Sequence, residues 1–355
     1  MSESNFVVPE NFQLGEWLRG QGRDADLAIC TRVRVARNIQ GYGFQPTLKP
    51  EDASELLHAV HRALTRSSFP EQLRVVDLTQ LDEIERGVLM ERHLISRDLA
   101  ASDRPRSVAV NEQESVSVMV NEEDHVRAQV FHSGFAVNET YARAERLDDA
   151  LMAEVPFAFS EEFGFLTSCP TNVGTGLRLS VMLHLPGLVW ADEIDKATAT
   201  VQKISLAVRG LYGEGSRALG DFYQVSNQVT LGRSERDIVR DVETAVERLM
   251  SWEREVREAL LRGDSRARTL DRIHRALGVL ERAHILSSEE ALNCLSAVRF
   301  GVHAEIIDNV QVRDLNIALL LSQPAHLQRV HRMPLSASQR DERRATLVRS
   351  VLRQK

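Results

Sequence analysis

The stretch from Cys169 to Pro186 reads CPTNVGTGLRLSVMLHLP, and it joins a cysteine, a glycine-rich turn and an arginine to an apolar run. Gly174 and Gly176 permit tight or left-handed turns. We predict that the apolar run, residues 177–186, is a helix whose first amides face a phosphate, with Arg178 as a fixed cation beside them. The spacing and the lysine of a Walker loop are absent. On the glycines alone, an ordinary loop that caps a buried helix is the simpler interpretation.

The composition limits the class of protein. The 355 residues are 43% hydrophobic, which is enough for a large domain and a smaller one. Aromatic residues make up only 5% and the net charge is −7, so nucleic acids and anionic membranes are disfavoured as main partners. No apolar run is long enough to span a bilayer, and the first residues lack the features of a signal peptide. Three widely spaced cysteines indicate a reduced, cytoplasmic protein with neither a disulfide framework nor a metal site (Cys30, Cys169 and Cys294).

Hydrophobic periodicity indicates strands early in the chain and helices late. The predicted strands are 26–38, 74–78, 107–110, 115–121, 126–132, 207–212 and 221–231. The predicted helices are 52–66, 81–93, 138–155, 177–186, 191–206 and nearly everything after 234. This order favours an α+β fold with a mainly antiparallel sheet flanked by helices, followed by an all-helical domain. We expect a lead-in of residues 1–25, a first domain of residues 26–256 and a helical domain of residues 270–355.

Two arginines lie on one face of the first predicted strand. In ICTRVRV, residues 29–35, Arg32 and Arg34 share a face. The other face carries Ile29, Thr31, Val33 and Val35. Guanidinium groups about 7 Å apart repel one another unless an anion lies between them. The pattern therefore indicates an anion site, with a solvated strand face as the alternative.

Carboxylates cluster at a predicted hairpin tip, NEEDH at residues 121–125, after a strand whose core face carries Val116, Val118 and Val120. Glu123 and Arg127 would share a face in an extended chain, although a turn would change that parity. A second carboxylate, Glu214, lies between two glycines, and Arg209 precedes it. For each segment a plain polar turn is the alternative. Taken together, the arginines (32, 34, 127, 178 and 209) indicate a polyphosphate, and the carboxylates indicate a cationic acceptor.

Four of these segments, in this order, resemble the phosphagen (guanidino) kinase family. They are CTRVRVARN at 30–38, NEEDHVRAQ at 121–129, CPTNVGTGLR at 169–178 and RGLYGEGS at 209–216. Further similarity lies in HLIS at 93–96, SNQVTLG at 226–232 and RDERRA at 340–345. Within the family, the similarity is closest to the bacterial protein-arginine kinase branch.

The resemblance implies roles for individual residues. Glu123 and Glu214 would hold and activate the acceptor guanidinium, with Cys169 beside them. ATP would be bound by Cys30, Thr31, Arg32, Val33, Arg34, His93, Arg127, Arg178, Leu179, Ser180, Val181, Met182, Arg209, Gly210, Leu211, Tyr212, Gly213 and Glu214. Mg²⁺ would be carried on the nucleotide without a protein metal site. A regulatory phosphoarginine site would comprise Arg340, Asp341, Glu342, Arg343, Arg344 and Ala345, for which a solvated charged helix is the alternative.

The implied activity is transfer of the γ-phosphoryl group of ATP to arginine side chains in proteins. The first arginine motif begins already at Cys30 and a long helical tail follows, which favours the protein-kinase branch over enzymes that act on free guanidino compounds. The implied partners are protein substrates with exposed arginines, a second copy of the chain, a zinc-binding activator and a Clp-type ATPase or protease. Two departures from the family pattern are Cys30-Thr31, usually two serines, and Arg217, often acidic. The alternatives are a free-arginine kinase and a non-catalytic phosphoarginine-binding adaptor.

Overall fold

The computed structural model describes residues 12–210 and 219–353. Its strands are β1 Ala28–Arg37, β2 Arg74–Asp77, β3 Ser107–Val110, β4 Val116–Val120, β5 Val126–Ser133, β6 Phe159–Ser160, β7 Gly164–Phe165, β8 Leu177–His184, β9 Leu206–Gly210 and β10 Phe222–Asn227. Eight strands form one sheet in the order β2-β3-β4-β5-β1-β8-β10-β9, and β6 with β7 forms a separate hairpin. Every pairing is antiparallel, which confirms the predicted sheet type.

The helices flank this sheet early in the chain and dominate its last third. They are α1 Pro50–Arg66, α2 Glu83–Glu91, α3 Arg97–Ala101, α4 Val137–Met152, α5 Pro186–Trp190, α6 Ile194–Gln202, α7 Glu235–Leu260, α8 Ser265–Arg282, α9 Ser288–His303, α10 Val312–Leu321, α11 Pro324–His331 and α12 Ala337–Arg353. The architecture is α+β, as predicted. No helix in the described ranges combines the length and the apolarity needed to cross a membrane.

The predicted helix at 177–186 is wrong, because most of this run is strand β8. Its apolar side chains recur every second residue, at positions 177, 179, 181 and 183, which is the strand period. Both neighbours, β1 and β10, pair with it, so its backbone groups are satisfied in the middle of the sheet. Phosphate binding at the N-terminus of a helix here is therefore excluded, and Arg178 projects from a strand instead.

Other boundaries differ less. The predicted helix 191–206 is shorter, because α6 ends at Gln202 and a positive φ at Ser205 leads into β9. The predicted strand 221–231 stops at Asn227, whose side-chain amide donates to the carbonyl oxygen of Leu177 and whose side-chain oxygen accepts from the amide of Leu179. Within β1, a register shift between Ala28 and Cys30 places Ile29 in another cluster than Val33, contrary to the predicted alternation.

The two faces of the sheet have different neighbours. One face carries Val33, Val35, Leu179, Val181 and Val225, which pack in a large core with α1, α4 and α7. On the opposite face, near one end, Cys30, Phe131, Met182 and Phe222 pack against helices α8 to α12 in a second core. The helical C-terminal region thus rests on the same sheet face that carries the arginines of β1.

Candidate active site

The arginines predicted to bind phosphate share one face of the sheet. Arg34 lies directly opposite Arg178 on β8 and opposite Gln129 on β5. Two residues before Arg34 on β1, Arg32 lies opposite Ser180 on β8. Two residues after Arg34, Ala36 lies opposite Arg127 on β5. Paired residues in a sheet point to the same face, so β1, β5 and β8 direct their cations into one space. We call the face formed by Arg32, Arg34, Arg127 and Arg178 the arginine face.

Neutral side chains and one carboxylate position these cations. Arg32 donates to Oε1 of Gln224 at 3.1 Å, and Arg178 donates to the hydroxyl of Ser226 at 3.2 Å. Arg127 donates to both oxygens of Glu122, at 2.6 and 2.7 Å. Gln224, Ser226 and Glu122 were not predicted as site residues from the sequence. Two features of the sequence could have indicated them. Gln224 and Ser226 occupy alternate positions of β10, and Glu122 directly precedes the predicted site carboxylate Glu123.

Arg34 is the least compensated member of the arginine face. Burial holds the pKa of its guanidinium well below the ordinary value, and the neighbouring cations Arg127, Arg32 and Arg178 lower it further. Among the described residues, its buried Nε has no hydrogen-bond partner. Arginine stays charged in proteins, so this depressed pKa reports electrostatic strain that an anion would relieve. An orphaned buried donor among like charges fits a phosphate group.

A cavity of about 270 Å³ opens in front of the arginine face. Arg32 and Arg34 of β1 line it, together with His93 and Arg97. The helical region contributes Leu319, Leu320 and Gln323 to the wall, from α10 and the residues just after it. This contribution of the helical region was not predicted, because nothing in the sequence shows that α10 packs over β1.

His93 is placed in the cavity wall by an unusual backbone. Its φ is 59°, in the left-handed region that non-glycine residues seldom adopt. Its ring meets that of Trp17 edge-on with centroids 4.3 Å apart. Burial, with the positive charge of Arg32, lowers its pKa to about 3, so the imidazole is neutral at physiological pH. His93 therefore offers an aromatic surface in the cavity without adding charge.

The remaining predicted nucleotide residues lie in different environments. Cys30, Ser180 and Met182 line a second, smaller cavity beside the first. Its volume of about 10 Å³ is room for about one water molecule. Burial raises the pKa of the Cys30 thiol to about 12, so it is a neutral thiol. The side chains of Thr31, Val33, Leu179 and Val181 lie away from the arginine face and are fully buried. Arg209 pairs with Gln224 at the edge of the arginine face, and Gly210 ends β9.

Glu123, the first predicted site carboxylate, lies at the tip between β4 and β5. A left-handed Asn121, with φ of 61°, begins this turn and resets the strand parity. Arg127 consequently pairs with Glu122, and the shared face expected for Glu123 and Arg127 does not occur. Glu123 is exposed, yet partial burial still raises its pKa, together with the nearby charges of Glu122 and Asp124, while Arg127 acts against this. A carboxylate with a raised pKa is a better proton acceptor.

Cys169 lies close enough to Glu123 for its thiol to act against the raised pKa of that carboxyl, and its Sγ lies 3.0 Å from the hydroxyl oxygen of Thr171. Buried Asp124 holds the two segments together, because its Oδ1 accepts from Asn38 at 2.8 Å and from the amide of Ser168 at 2.6 Å. The second predicted carboxylate, Glu214, lies outside the described residues, as do Leu211, Tyr212 and Gly213. The structure thus brings together Glu123, Cys169 and the arginine face from three separate segments, 30–38, 121–129 and 169–178.

The predicted regulatory motif lies on α12, far along the chain from this cavity. Arg344 is 1% exposed and donates to the carbonyl oxygens of Ser322 and Leu286 and to Asp341. Ala345 is buried as well, whereas Glu342 and Arg343 are exposed. Arg340 is half-buried and donates to the carbonyl oxygen of Leu335. Arg344 therefore holds the loop that follows α10, next to Gln323 in the cavity wall.

Comparison with known proteins identifies the class. Residues 55–256, more than half of the chain, match the family described as ATP:guanido phosphotransferase, C-terminal catalytic domain. The chain therefore belongs to the ATP:guanido phosphotransferase family. Residues 266–355 match a second family, described as the protein-arginine kinase McsB C-terminal domain.

Curated relatives narrow the comparison further. The protein-arginine kinase of Moorella thermoacetica is 44% identical over 95% of this chain and 97% of its own length. That of Halalkalibacterium halodurans is 41% identical over 96% of both chains. Among solved structures, lombricine kinase has a TM-score of 0.60 at 23% identity, covering 72% of this chain and 76% of its own. The duplicated taurocyamine kinase of Schistosoma mansoni with transition-state-analogue components has a TM-score of 0.60 at 25% identity, covering 82% of this chain and 41% of its own.

Proposed function

We propose that this chain is a protein-arginine kinase, which transfers the γ-phosphoryl group of ATP to the guanidinium of arginine side chains in proteins. One observation carries the proposal. A face of clustered arginines, with an orphaned buried donor on Arg34, lies close to a carboxylate whose pKa is raised, Glu123. The near full-length similarity to curated protein-arginine kinases supports protein arginine as the acceptor.

The arginine face would bind and neutralise the phosphates. ATP, when bound, supplies the γ-phosphoryl group: an acceptor nitrogen attacks the phosphorus, the bond to the β-phosphate oxygen breaks, and the nitrogen loses one proton. Arg34 and Arg178 face one another across β1 and β8, so both can contact the same phosphate oxygens. Negative charge spreads over these oxygens during transfer, and fixed guanidinium groups stabilise it without reorganising.

Glu123 would orient the acceptor and receive its proton. A guanidinium is protonated at neutral pH and has no free lone pair on nitrogen, so a base must act during the attack. A carboxylate also binds guanidinium in a bidentate manner, which aligns one nitrogen with the phosphorus. We propose that Glu214 provides the second carboxylate and that the thiol of Cys169 helps to hold the acceptor.

Mg²⁺ would be held by phosphate oxygens and water. Over residues 12–210 and 219–353, no group of three or more His, Cys, Asp or Glu side chains is arranged to hold a metal ion. Mg²⁺ prefers to keep several water ligands and to share the oxygens of a phosphate substrate, so a nucleotide-borne ion suits this site.

We also propose the wider role that the sequence motifs imply: marking of proteins for a Clp-type protease, control by a zinc-binding activator, and a homodimer. The RDERRA segment supports regulation by phosphoarginine, through Arg340 and Asp341 in particular, because Arg344 is buried.

Light scattering of the full-length chain tests the proposed dimer. Addition of phosphoarginine to wild type and Arg340→Ala tests the regulatory site, and an unchanged response in the variant would reject it.

The decisive experiment is mass spectrometry under non-acidic conditions after incubation of the full chain with ATP and unfolded casein. We expect phosphoarginine on casein, at least hundredfold less with Glu123→Gln, and none with Glu214→Ala, while both variants still bind ATP. Phosphorylation of free arginine but not of casein would identify a free-arginine kinase. ATP binding without turnover would favour the adaptor. A near wild-type rate in Glu214→Ala would reject its assigned role.

A further inference from the structure

A groove of exposed apolar side chains lies beside the turn that carries Cys169. Phe159, Phe163 and Leu231 are 59%, 45% and 48% exposed. They line a cavity of about 340 Å³. We call these three residues and the cavity they surround the hairpin groove. Large apolar side chains grouped on a surface mark a binding site more often than single ones do.

Close backbone contacts join the hairpin groove to the turn that carries Cys169. The amide of Phe165 donates to the carbonyl oxygen of Gly174 at 2.8 Å, and the amide of Gly174 donates back at 3.2 Å. A side chain on Gly164 would lie 2.6 Å from the Gly174 oxygen, and one on Gly174 would lie 2.6 Å from the oxygen of Thr230. Three backbones therefore touch here. A ligand seated in the groove would have a fixed position relative to Cys169.

The charge around the groove suits an arginine-containing segment. The hairpin tip carries Glu161 and Glu162, and both are exposed. The nearby cation Arg233 is ion-paired with Asp241, so it adds little repulsion. An acidic rim around an apolar groove attracts a peptide that combines basic and apolar residues.

We propose that the hairpin groove binds the residues that flank the target arginine of a protein substrate and favours a large apolar residue close to it in sequence. This inference rests on the proposed protein-arginine kinase activity. The occupant follows from position, because a polypeptide whose arginine reaches Glu123 and Cys169 must continue across the surface next to them. The groove would then select among arginines, which the guanidinium-binding residues themselves cannot do.

Two peptides test the inference with the full-length enzyme. Each contains one central arginine, and they differ only in carrying leucine or serine at the flanking positions. We expect the wild type to show a KM about tenfold lower for the leucine peptide, which corresponds to about 1.4 kcal/mol. Phe159→Ser with Phe163→Ser should reduce this preference to less than about twofold, with kcat and the KM for ATP unchanged. Leu231→Ser alone should weaken it in part and serves if the double variant does not fold.

Val75→Ser is the matched control, since Val75 is 40% exposed on the edge strand β2 and does not line the groove. It should keep the full preference. An equal KM for both peptides in the wild type, or a preference that survives in the groove variants, would overturn the inference. So would a change of oligomeric state in these variants with peptide kinetics unaltered, which would make the groove an interface between copies.

Direct binding separates this inference from the proposed function. Fluorescence anisotropy with labelled peptides measures affinity without turnover. Tighter binding of the leucine peptide without any phosphoarginine would reject the kinase activity and retain the groove. Phosphoarginine on both peptides without any difference in affinity or KM would reject the groove and retain the kinase activity.

Discussion

Strand β1 holds two arginines, three residues apart, in opposite ways: Arg37 is buried and Arg34 is half-buried. Arg37 is 1% exposed and donates to Asp148, with the shortest contact at 2.6 Å, and its guanidinium carbon lies 3.5 Å from the ring centre of Phe165. Arg34 has cations as its main charged neighbours and an orphaned Nε. From this difference we predict that Arg37 stabilises the fold and that Arg34 is available to a ligand. A buried charge that the protein itself does not neutralise is costly unless a substrate neutralises it.

Of the two β1 arginines, loss of Arg34 should have the larger effect on activity and the smaller effect on stability. We expect Arg34→Met to lower kcat/KM for phosphoarginine formation about a thousandfold, equivalent to about 4 kcal/mol, because a fixed charge on the phosphates is removed. The free energy of unfolding should stay level or rise, since an uncompensated buried cation is lost. Activity assays and urea denaturation measure both, and a variant within tenfold of wild-type activity would contradict the comparison.

Loss of Arg37 should have the larger effect on stability and the smaller effect on activity. Arg37→Met leaves the buried carboxylate of Asp148 without its partner, so the free energy of unfolding should fall by about 3–5 kcal/mol. Urea denaturation measures this. Asp148→Leu added to Arg37→Met should restore much of the stability because both charges are then gone. If the double variant were no more stable than the single one, the pair would not be the cause.

Glu122 makes Arg127 an intermediate case, a cation on the arginine face with its own carboxylate. Burial raises the pKa of Glu122, but Arg127, through charge and hydrogen bonds, outweighs this and leaves the pKa lowered. We expect Glu122→Gln to lower the free energy of unfolding by about 2 kcal/mol at pH 7. A lowered pKa contributes stability that is present above the unfolded value and is lost as the pH falls through the folded one. The difference from wild type in urea denaturation should therefore shrink in acid, and a constant difference would argue against the pair.

The smallest expected effect is on the pH dependence of activity. The pKa of Glu123 is raised above the ordinary 4.5, and the base must be ionised to accept a proton. The acid limb of kcat/KM should therefore lie above the value for an ordinary glutamate, with activity rising as the pH rises through it. Glu289→Gln, which removes an exposed carboxylate from the first turn of α9, is the control and should leave the limb in place. A limb at or below the ordinary value would contradict the role of Glu123.

Much of the sheet and of the arginine face could be predicted from sequence, because alternation fixes which residues share a face of a strand. Arg32 and Arg34 followed directly from it. The same rule applied to 177–186 would have given a strand, since Leu177, Leu179 and Leu183 alternate with polar residues such as Arg178. The glycine turn before it suggested a helix start, and the length of the apolar run reinforced that error.

What the sequence could not provide is the register between distant segments. The pairing of Arg127 with Glu122 depends on the left-handed Asn121, and the bond from Arg32 to Gln224 depends on which residues of β10 and β8 face each other. Both are set by packing over long sequence distances. For Glu123 and the nucleotide residues, the family resemblance supplied roles that alternation alone left open.

The wall that α10 adds to the cavity links occupancy of the site to the unfolding of the helical region. Any molecule that touches Leu319 and Gln323 as well as the arginine face binds only while α10 is docked, so by mass action it must lower the population in which α10 is open. The carbonyl of Ser322, held by Arg344 at 2.9 Å, makes α12 part of the same equilibrium. Backbone amides of α12 would then exchange hydrogen more slowly when nucleotide is added, although none of its residues lines the cavity.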